Sequence, residues 1–284
     1  RTVWIAVGVG GIVLAVADPR MAVVVVDNAS RDGSLGTVAD LDVTCVGLDR
    51  NGGFAAGCNA GWMRGQAPYV LFLNPDARIG PEDVQRLVSV LESDRGVGVV
   101  APRILGEDGS VQESQFSFST PWSIWSTALF LHRVAPGSAR LTGAVPAAAY
   151  AVSGSPDWVS GACLLLRRET LEALDGLDER FFMYCEDMDL CRRTRALGLD
   201  VRYESSATAM HIGGRSAPSA RMQPVLVRSR VAYAHKHFSL PGRLVARAGI
   251  VAAEVSHALV SRGGRPARLG HLRALRAALA RARD

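Results

Sequence analysis

Short β-branched runs alternate with longer helix-patterned stretches along this chain. Strands as uniformly apolar as VVVV and VLFL need cover on both faces. Together they predict a layered α/β fold around a mainly parallel sheet flanked by helices. The strands read as residues 3–9, 22–26, 43–47, 69–73, 97–101 and 161–167, and the helices as 55–65, 81–94, 168–174 and 187–197. Pro81 suits a first helical turn, Glu82 and Asp83 lie beside the positive end of its dipole, and Gly198 is placed as a helix stop. Residues 106–157 carry Gly, Ser, Pro and aromatics with weak periodicity and read as a long excursion over the active face.

In such a sheet ligands sit beyond the carboxyl ends of the strands, so the residues after each apolar run come first. Asp27 follows VVVV and opens the turn-rich DNASRDGS; it can accept hydrogen bonds from a base or ribose, or simply form the turn. Asn74-Pro75-Asp76 follows VLFL with two oxygen-bearing side chains two residues apart, a pattern that suits a hard divalent cation or a capped turn. Between them, NGGFAAGCNAG brings small residues to a helix start, where a ligand can approach backbone N–H groups. Further on, Glu186, Asp187 and Asp189 crowd a helix entrance with Arg192 and Arg193 in reach. Glu186 and Asp189 share a face for pairing with arginine, which leaves Asp187 as a general-base candidate; the other reading is an acidic first turn serving the dipole.

The order of these pieces resembles the family 2 glycosyltransferases with a GT-A (Rossmann-like) fold, in particular the bacterial rhamnosyltransferase-like branch. The matching stretches are VVVVDNASRDGS, NGGFAAGCNAG, VLFLNPDA, WVSGACLLLRRETLEALDGLDERFFMYCEDMDLCRR and MHIGGRS, from Ala22 to Ser216. The resemblance implies that Asp27 contacts the donor's nucleobase, with Asn28, Asn59, Asn74 and Asp76 also on the donor side. Asp76 matches the metal-binding acid of the family's DxD element, and Asn74 stands where the broader family has the first Asp. His211 matches a histidine that completes the shell of Mg²⁺ or Mn²⁺ in some relatives. Asp187 matches the catalytic base, and Trp158, Ser160, Gly161 and Glu186 lie on the acceptor side. The implied reaction is an inverting, metal-dependent transfer of a sugar from a nucleotide donor, with dTDP-L-rhamnose the preferred donor, to a hydroxyl of a cell-envelope glycan or lipid-linked acceptor. A catalytically weak or inactive sugar-nucleotide-binding scaffold of the same fold is the alternative.

The chain departs from the family at its start, where residues 1–18 lack the usual V-x-Y-N-like motif at the base pocket. Gly8-Val9-Gly10-Gly11 with Asp27 imitates a dinucleotide fingerprint, which makes a nicotinamide-dependent dehydrogenase a distant third reading. Val13 in place of the third glycine and the short span to Asp18 weigh against it. There is no Q-x-x-R-W element of processive synthases.

Charge divides the chain of 284 residues, whose net charge is +5. Residues 215–284 hold 14 basic and 2 acidic side chains, and 1–214 the remaining 18 and 25. We therefore expect a catalytic domain at 1–214 and a basic helical extension at 215–284. Residues 242–262 place Arg243, Arg247, Glu254, His257 and Ser261 within about 80° of a helix, leaving a broad apolar face that wants cover. Residues 265–283 interleave arginine with leucine, which suits docking on an anionic membrane surface or packing against the catalytic domain. No nucleic-acid motif accompanies the charge. Five scattered cysteines without a C-x-x-C pair indicate neither a zinc site nor a disulfide framework and fit a reducing compartment. No run reaches the roughly 18 to 20 apolar residues of a membrane span, and 3–17 lacks a clear signal-peptide cleavage site. The expected location is cytoplasmic, peripheral on the inner face of the cell membrane.

Overall fold

The computed structural model describes residues 3–8, 21–31, 33–134, 138, 141, 143, 145–213, 220–260 and 264–280. The glycine-rich segment 9–18 and residues 214–216 of the last motif lie outside them. In chain order the elements are β1 (Val3–Gly8), β2 (Met21–Asp27), β3 (Thr44–Gly47), α1 (Phe54–Trp62), β4 (Tyr69–Leu73), β5 (Ala77–Ile79), α2 (Pro81–Ser93), β6 (Val97–Leu105), β7 (Gln115–Phe116), α3 (Pro121–Ala128), β8 (Trp158–Val159) and β9 (Cys163–Arg167). There follow α4 (Arg168–Leu174), α5 (Glu186–Ala196), β10 (Asp200–His211), α6 (Gln223–His237), α7 (Leu240–Val260) and α8 (Gly264–Leu279).

Two compact units are formed: one from residues 1–116, 147–179 and 186–214, the other from 117–146, 180–185 and 215–284. The second unit thus takes in two segments besides the 215–284 stretch that the charge pattern marks out. The excursion at 106–157 is divided accordingly, with α3 in the second unit.

The first unit is built on a sheet of order β3-β2-β1-β4-β9-β6-β10-β5. Strands β3, β2, β1 and β4 run parallel, as do β6 and β10, while β9 opposes both β4 and β6 and β5 opposes β10. The sheet is mainly parallel, as the rhythm of runs predicts. The reversal at β9 leaves no mark in its composition, because a strand covered on both faces is apolar whichever way it runs. Helix α2 buries Val84, Leu87, Val88 and Leu91, an i, i+3, i+4, i+7 stripe, in the same core as Leu71, Val97, Val100 and Leu165. The Arg167 guanidinium, buried at the end of β9, donates to Val97 O, Asp94 O and Leu91 O and so satisfies carbonyls around the end of α2. Strand β10, hidden in the sequence by its polar ESSAT stretch, is irregular between Glu204 and Thr208.

In the second unit α6, α7 and α8 pack together, with α3 against α7: the Trp125 indole donates to Val245 O at 3.0 Å, and a side chain at Gly249 would meet Ile124 and Trp125. Helix α7 reverses the expected amphipathicity. Its polar residues are engaged inside the unit: Arg247 donates to Ala278 O at 2.9 Å, Glu254 is buried between Gln223 and His271 at 3.0 and 2.8 Å, and the His257 ring stacks on Phe130. The apolar residues Leu240, Leu244, Val245, Val255, Leu259 and Val260 are exposed instead, Leu259 by 74% and Leu244 by 64%. The face that a hydrophobic pattern predicts to be covered is open because the polar side found partners on α6, on α8 and at Phe130 beyond the end of α3.

Candidate active site

The site begins where β4 ends. The buried YVLFL strand stops at Asn74, whose N–H donates to Ala162 O at 3.0 Å, and Ala77 N–H closes a turn on Asn74 O. The short β5 then pairs antiparallel with β10, with Ala77 opposite His211, and Ile212 N–H donates to Asp76 O. Register alone thus sets Asp76 beside His211, 135 residues away in sequence. Asp76 Oδ1 lies 3.2 Å from His211 Nε2, and the Asn74 amide nitrogen lies 3.4 Å from the same ring atom. Gly213 leaves room for this carboxylate, since a side chain there would run into Asp76 Oδ2. Among the described residues no group of three or more His, Cys, Asp or Glu is placed to hold a metal. A cation between Asp76 and His211 would therefore complete its shell with ligand and water oxygens. A carboxylate and an imidazole meeting around one point, with an amide beside them, form a donor set that fits such an ion.

Asp187 stands in the first turn of α5. Its Oδ2 accepts from Gly161 N–H at 2.9 Å and its Oδ1 from its neighbour Met188 N–H at 2.8 Å. Burial raises its carboxyl above the ordinary range, and these N–H donors hold the rise back. Glu186 is more deeply buried, and its Oε2 has no hydrogen-bond partner. Burial first, then the Asp187 charge, push its carboxyl well up. Of the two, Glu186 is pushed up further, because Asp187 has two N–H donors and Glu186 Oε2 has none. The expected arginine pairing is met by Asp189, which takes Arg193 Nε at 2.7 Å. Glu186 is not so paired.

Asp27 ends β2 as expected, and its Oδ1 accepts from Ser30 N–H at 3.0 Å in a turn where Ala29 has φ 60°. Asn28 holds the glycine loop: its amide donates to Gly53 O at 2.7 Å and accepts from Gly52 N–H at 2.9 Å. Its visible work is to shape the loop at the start of α1. Asn59 departs from the donor-side expectation. Its buried amide donates to Leu177 O and Glu179 Oε1 and accepts from Leu177 N–H and Trp62 Nε1–H. All four hydrogen-bonding positions are used, so it ties α1 to the 176–179 turn and has no group left for a donor. Gly176, at φ 71°, is where that turn passes over it.

On the expected acceptor side, Trp158 stacks on Phe116 with ring centroids 4.3 Å apart, Ser160 N–H donates to Ser114 O, and Gly161 is close enough to Asp187 that a Cβ would press on its Cβ at 3.3 Å and its Oδ2 at 3.4 Å. Sequence reasoning overlooked Gln112, which contacts both the ring and the backbone of His211. The only signal for it was its place just after the DGS turn.

The step that joins these parts is at Gly161 and Ala162. Gly161 N–H holds Asp187, and the next residue's carbonyl holds the N–H of Asn74. Two adjacent residues entering β9 thus tie the carboxylate of α5 to the loop that carries Asp76. Residues 13–143 match the family model described as Glycosyl transferase family 2. An N-acetylglucosaminyl-diphospho-decaprenol L-rhamnosyltransferase of Mycobacterium tuberculosis is 29% identical over 226 residues, 70% of this chain and 69% of that protein. Over these stretches the chain is similar to glycosyl transferase family 2. It is a glycosyltransferase. Its GT-A fold is shared with solved glycosyltransferases. A mannosyltransferase from Pyrobaculum calidifontis, solved with GDP-Man and Mn²⁺, superposes with a TM-score of 0.53 at 16% identity over 98% of this chain and 85% of that one. GalNAc-T7, solved with UDP, GalNAc and Mn²⁺, gives 0.55 at 14% identity over 83% of this chain and 50% of that one. Asp27, Asp76, Asp187 and His211 come from strand ends and one helix entrance of the first unit.

Proposed function

We propose that this chain transfers a sugar with inversion from a nucleoside-diphosphate donor, L-rhamnose from dTDP-L-rhamnose, to a hydroxyl of a cell-envelope glycan or lipid-linked acceptor, with residues 1–214 as the catalytic part. The observation that carries the reading is the tie of Asp187 and the Asp76 loop to the adjacent Gly161 and Ala162. Asp187 takes the proton of the acceptor hydroxyl, the freed oxygen bonds to the anomeric carbon, and the bond from that carbon to the diphosphate oxygen breaks with the nucleoside diphosphate as leaving group. Asp76 and His211 would hold Mg²⁺ or Mn²⁺, which when bound neutralises charge on the diphosphate. Glu186 offers a hydrogen bond to the acceptor side, Trp158 and Ser160 border it, and Asp27 is left with a second carboxylate oxygen for the base. The test is a thermal-shift and turnover panel of dTDP-, UDP- and GDP-sugars with and without Mn²⁺: a preferred donor raises the midpoint in a metal-dependent way and is consumed with a lipid-linked acceptor. Donor binding without turnover would favour the inactive scaffold.

The exposed apolar side of α7 supports a further part of this reading, that residues 215–284 dock the enzyme peripherally on the anionic inner face of the cell membrane. Arg265, Arg268, Arg273 and Arg276 of α8 are exposed, as are Leu269, Leu272 and Leu279, and the acid of these helices, Glu254, is buried. Basic and apolar groups exposed together are complementary to anionic lipid. No helix among the described residues is long and apolar enough to cross a membrane. Full-length protein is expected to co-sediment with phosphatidylglycerol vesicles, less so as salt screens exposed charge over about 8 Å. The exposed pair of changes Leu244→Glu and Leu259→Glu should abolish it with an unchanged melting midpoint. Equal sedimentation of that variant, or a salt-independent dimer that hides the face, would refute the docking.

A further inference from the structure

Gln112 is held beside His211 by a tight turn at the end of β6. Gly106 N–H donates to Ser110 O, the Asp108 carboxylate accepts from Ser110 N–H at 3.0 Å and from Ser110 Oγ at 2.6 Å, and Gln112 N–H returns to Ile104 O at 2.9 Å. From there the side chain makes two contacts with one residue: Nε2 lies 2.8 Å from His211 O, and Oε1 lies 3.3 Å from His211 Nδ1. The first contact decides the second. A backbone carbonyl only accepts, so the NH₂ end of the amide must face it, and the end that faces the ring is the carbonyl oxygen. An oxygen there requires a proton on Nδ1. In the neutral ring the other nitrogen, Nε2, is then a bare lone pair, 3.2 Å from Asp76 Oδ1 and 3.4 Å from the Asn74 amide.

We propose that Gln112 is the positioning residue of this site: it fixes His211 as the Nδ1–H tautomer and turns the Nε2 lone pair toward Asp76, presetting both for one cation. The proposal rests on the cation reading of Asp76 and His211. Two lone-pair atoms set face to face are unfavourable until a positive charge lies between them, and a ligand histidine whose remote N–H is fixed by an acceptor meets the ion without reorientation. The opposite tautomer would satisfy Asp76 by a direct hydrogen bond and leave Gln112 Oε1 facing a second lone pair.

Nitrogen-15 NMR of His211 in metal-free protein, at a pH where the ring is neutral, reads the tautomer directly, and Mn²⁺ binding followed by electron paramagnetic resonance reads the consequence. Wild type should show a protonated Nδ1 and an unprotonated Nε2. Gln112→Met keeps the bulk but removes both hydrogen bonds; it should lose the preference for Nδ1–H and bind Mn²⁺ at least about 10-fold more weakly. Gln112→Glu keeps an acceptor for Nδ1–H and should keep the tautomer. A protonated Nε2 in wild type overturns the proposal, as does a Gln112→Met protein unchanged in both tautomer and Mn²⁺ affinity. A wild type with the expected tautomer that binds no Mn²⁺ upholds the orientation of the ring and overturns the cation reading.

Discussion

Replacing Asp187 by Asn should lower turnover by about 10² to 10⁴-fold while leaving donor binding and the melting midpoint nearly unchanged. The amide keeps the size and one acceptor for the N–H groups of Gly161 and Met188, but it cannot take the proton of an acceptor hydroxyl. The fold should tolerate the change, because burial already disfavours the charge that the substitution removes. The pH profile supplies a second readout. A base acts only when deprotonated, and burial raises this carboxyl, so kcat/KM of the wild type should fall with acid at a pH above the ordinary aspartate value of about 4. That limb should be missing from the residual activity of the variant. Wild-type turnover in Asp187→Asn, measured by release of nucleoside diphosphate, would remove Asp187 from the mechanism.

Asp76→Ala should abolish the metal-dependent part of donor binding. The carboxylate is the charged ligand of the pair. With it gone, an ion would have the neutral imidazole of His211 and the diphosphate alone. His211→Ala should weaken donor binding less, because a carboxylate and the diphosphate oxygens remain, which are the ligands a hard cation prefers. Calorimetry of nucleotide binding with Mn²⁺ and with chelator separates the two: wild type loses affinity on chelation, Asp76→Ala shows no difference. If chelator changes neither binding nor turnover of the wild type, the cation reading is wrong.

Much of the first unit could be read from the chain because β2, β4, β6 and β9 are buried on both faces and α2 carries one apolar stripe. Residues 69–73 and 97–101 and the α2 stripe are cases in which local pattern and tertiary burial say the same thing. Strand β10 was missed because its middle is polar and irregular, and the three residues of β5 are too few for any periodicity. The candidate residues were found by their positions after apolar runs and by the order of five motifs. Such signals place a residue at the right end of a strand and say nothing about what its side chain bonds to.

That limit separates Asn59 from Asp76, two residues drawn from equally suggestive stretches. Composition and short-range pattern carry the α/β class, the strand ends at Asp27 and Asp76, the helix entrance at Asp187 and the charge contrast of the last seventy residues. Long-range packing sets the rest: Asn59 spends its amide on the 176–179 turn, Asp189 rather than Glu186 takes Arg193, Gln112 reaches His211, and α7 turns its apolar side outward. Each of these depends on which partner a polar group meets across long sequence separations. A buried polar group must find such a partner, and the pairing is set by strand register and helix packing, which no local stretch of the chain encodes.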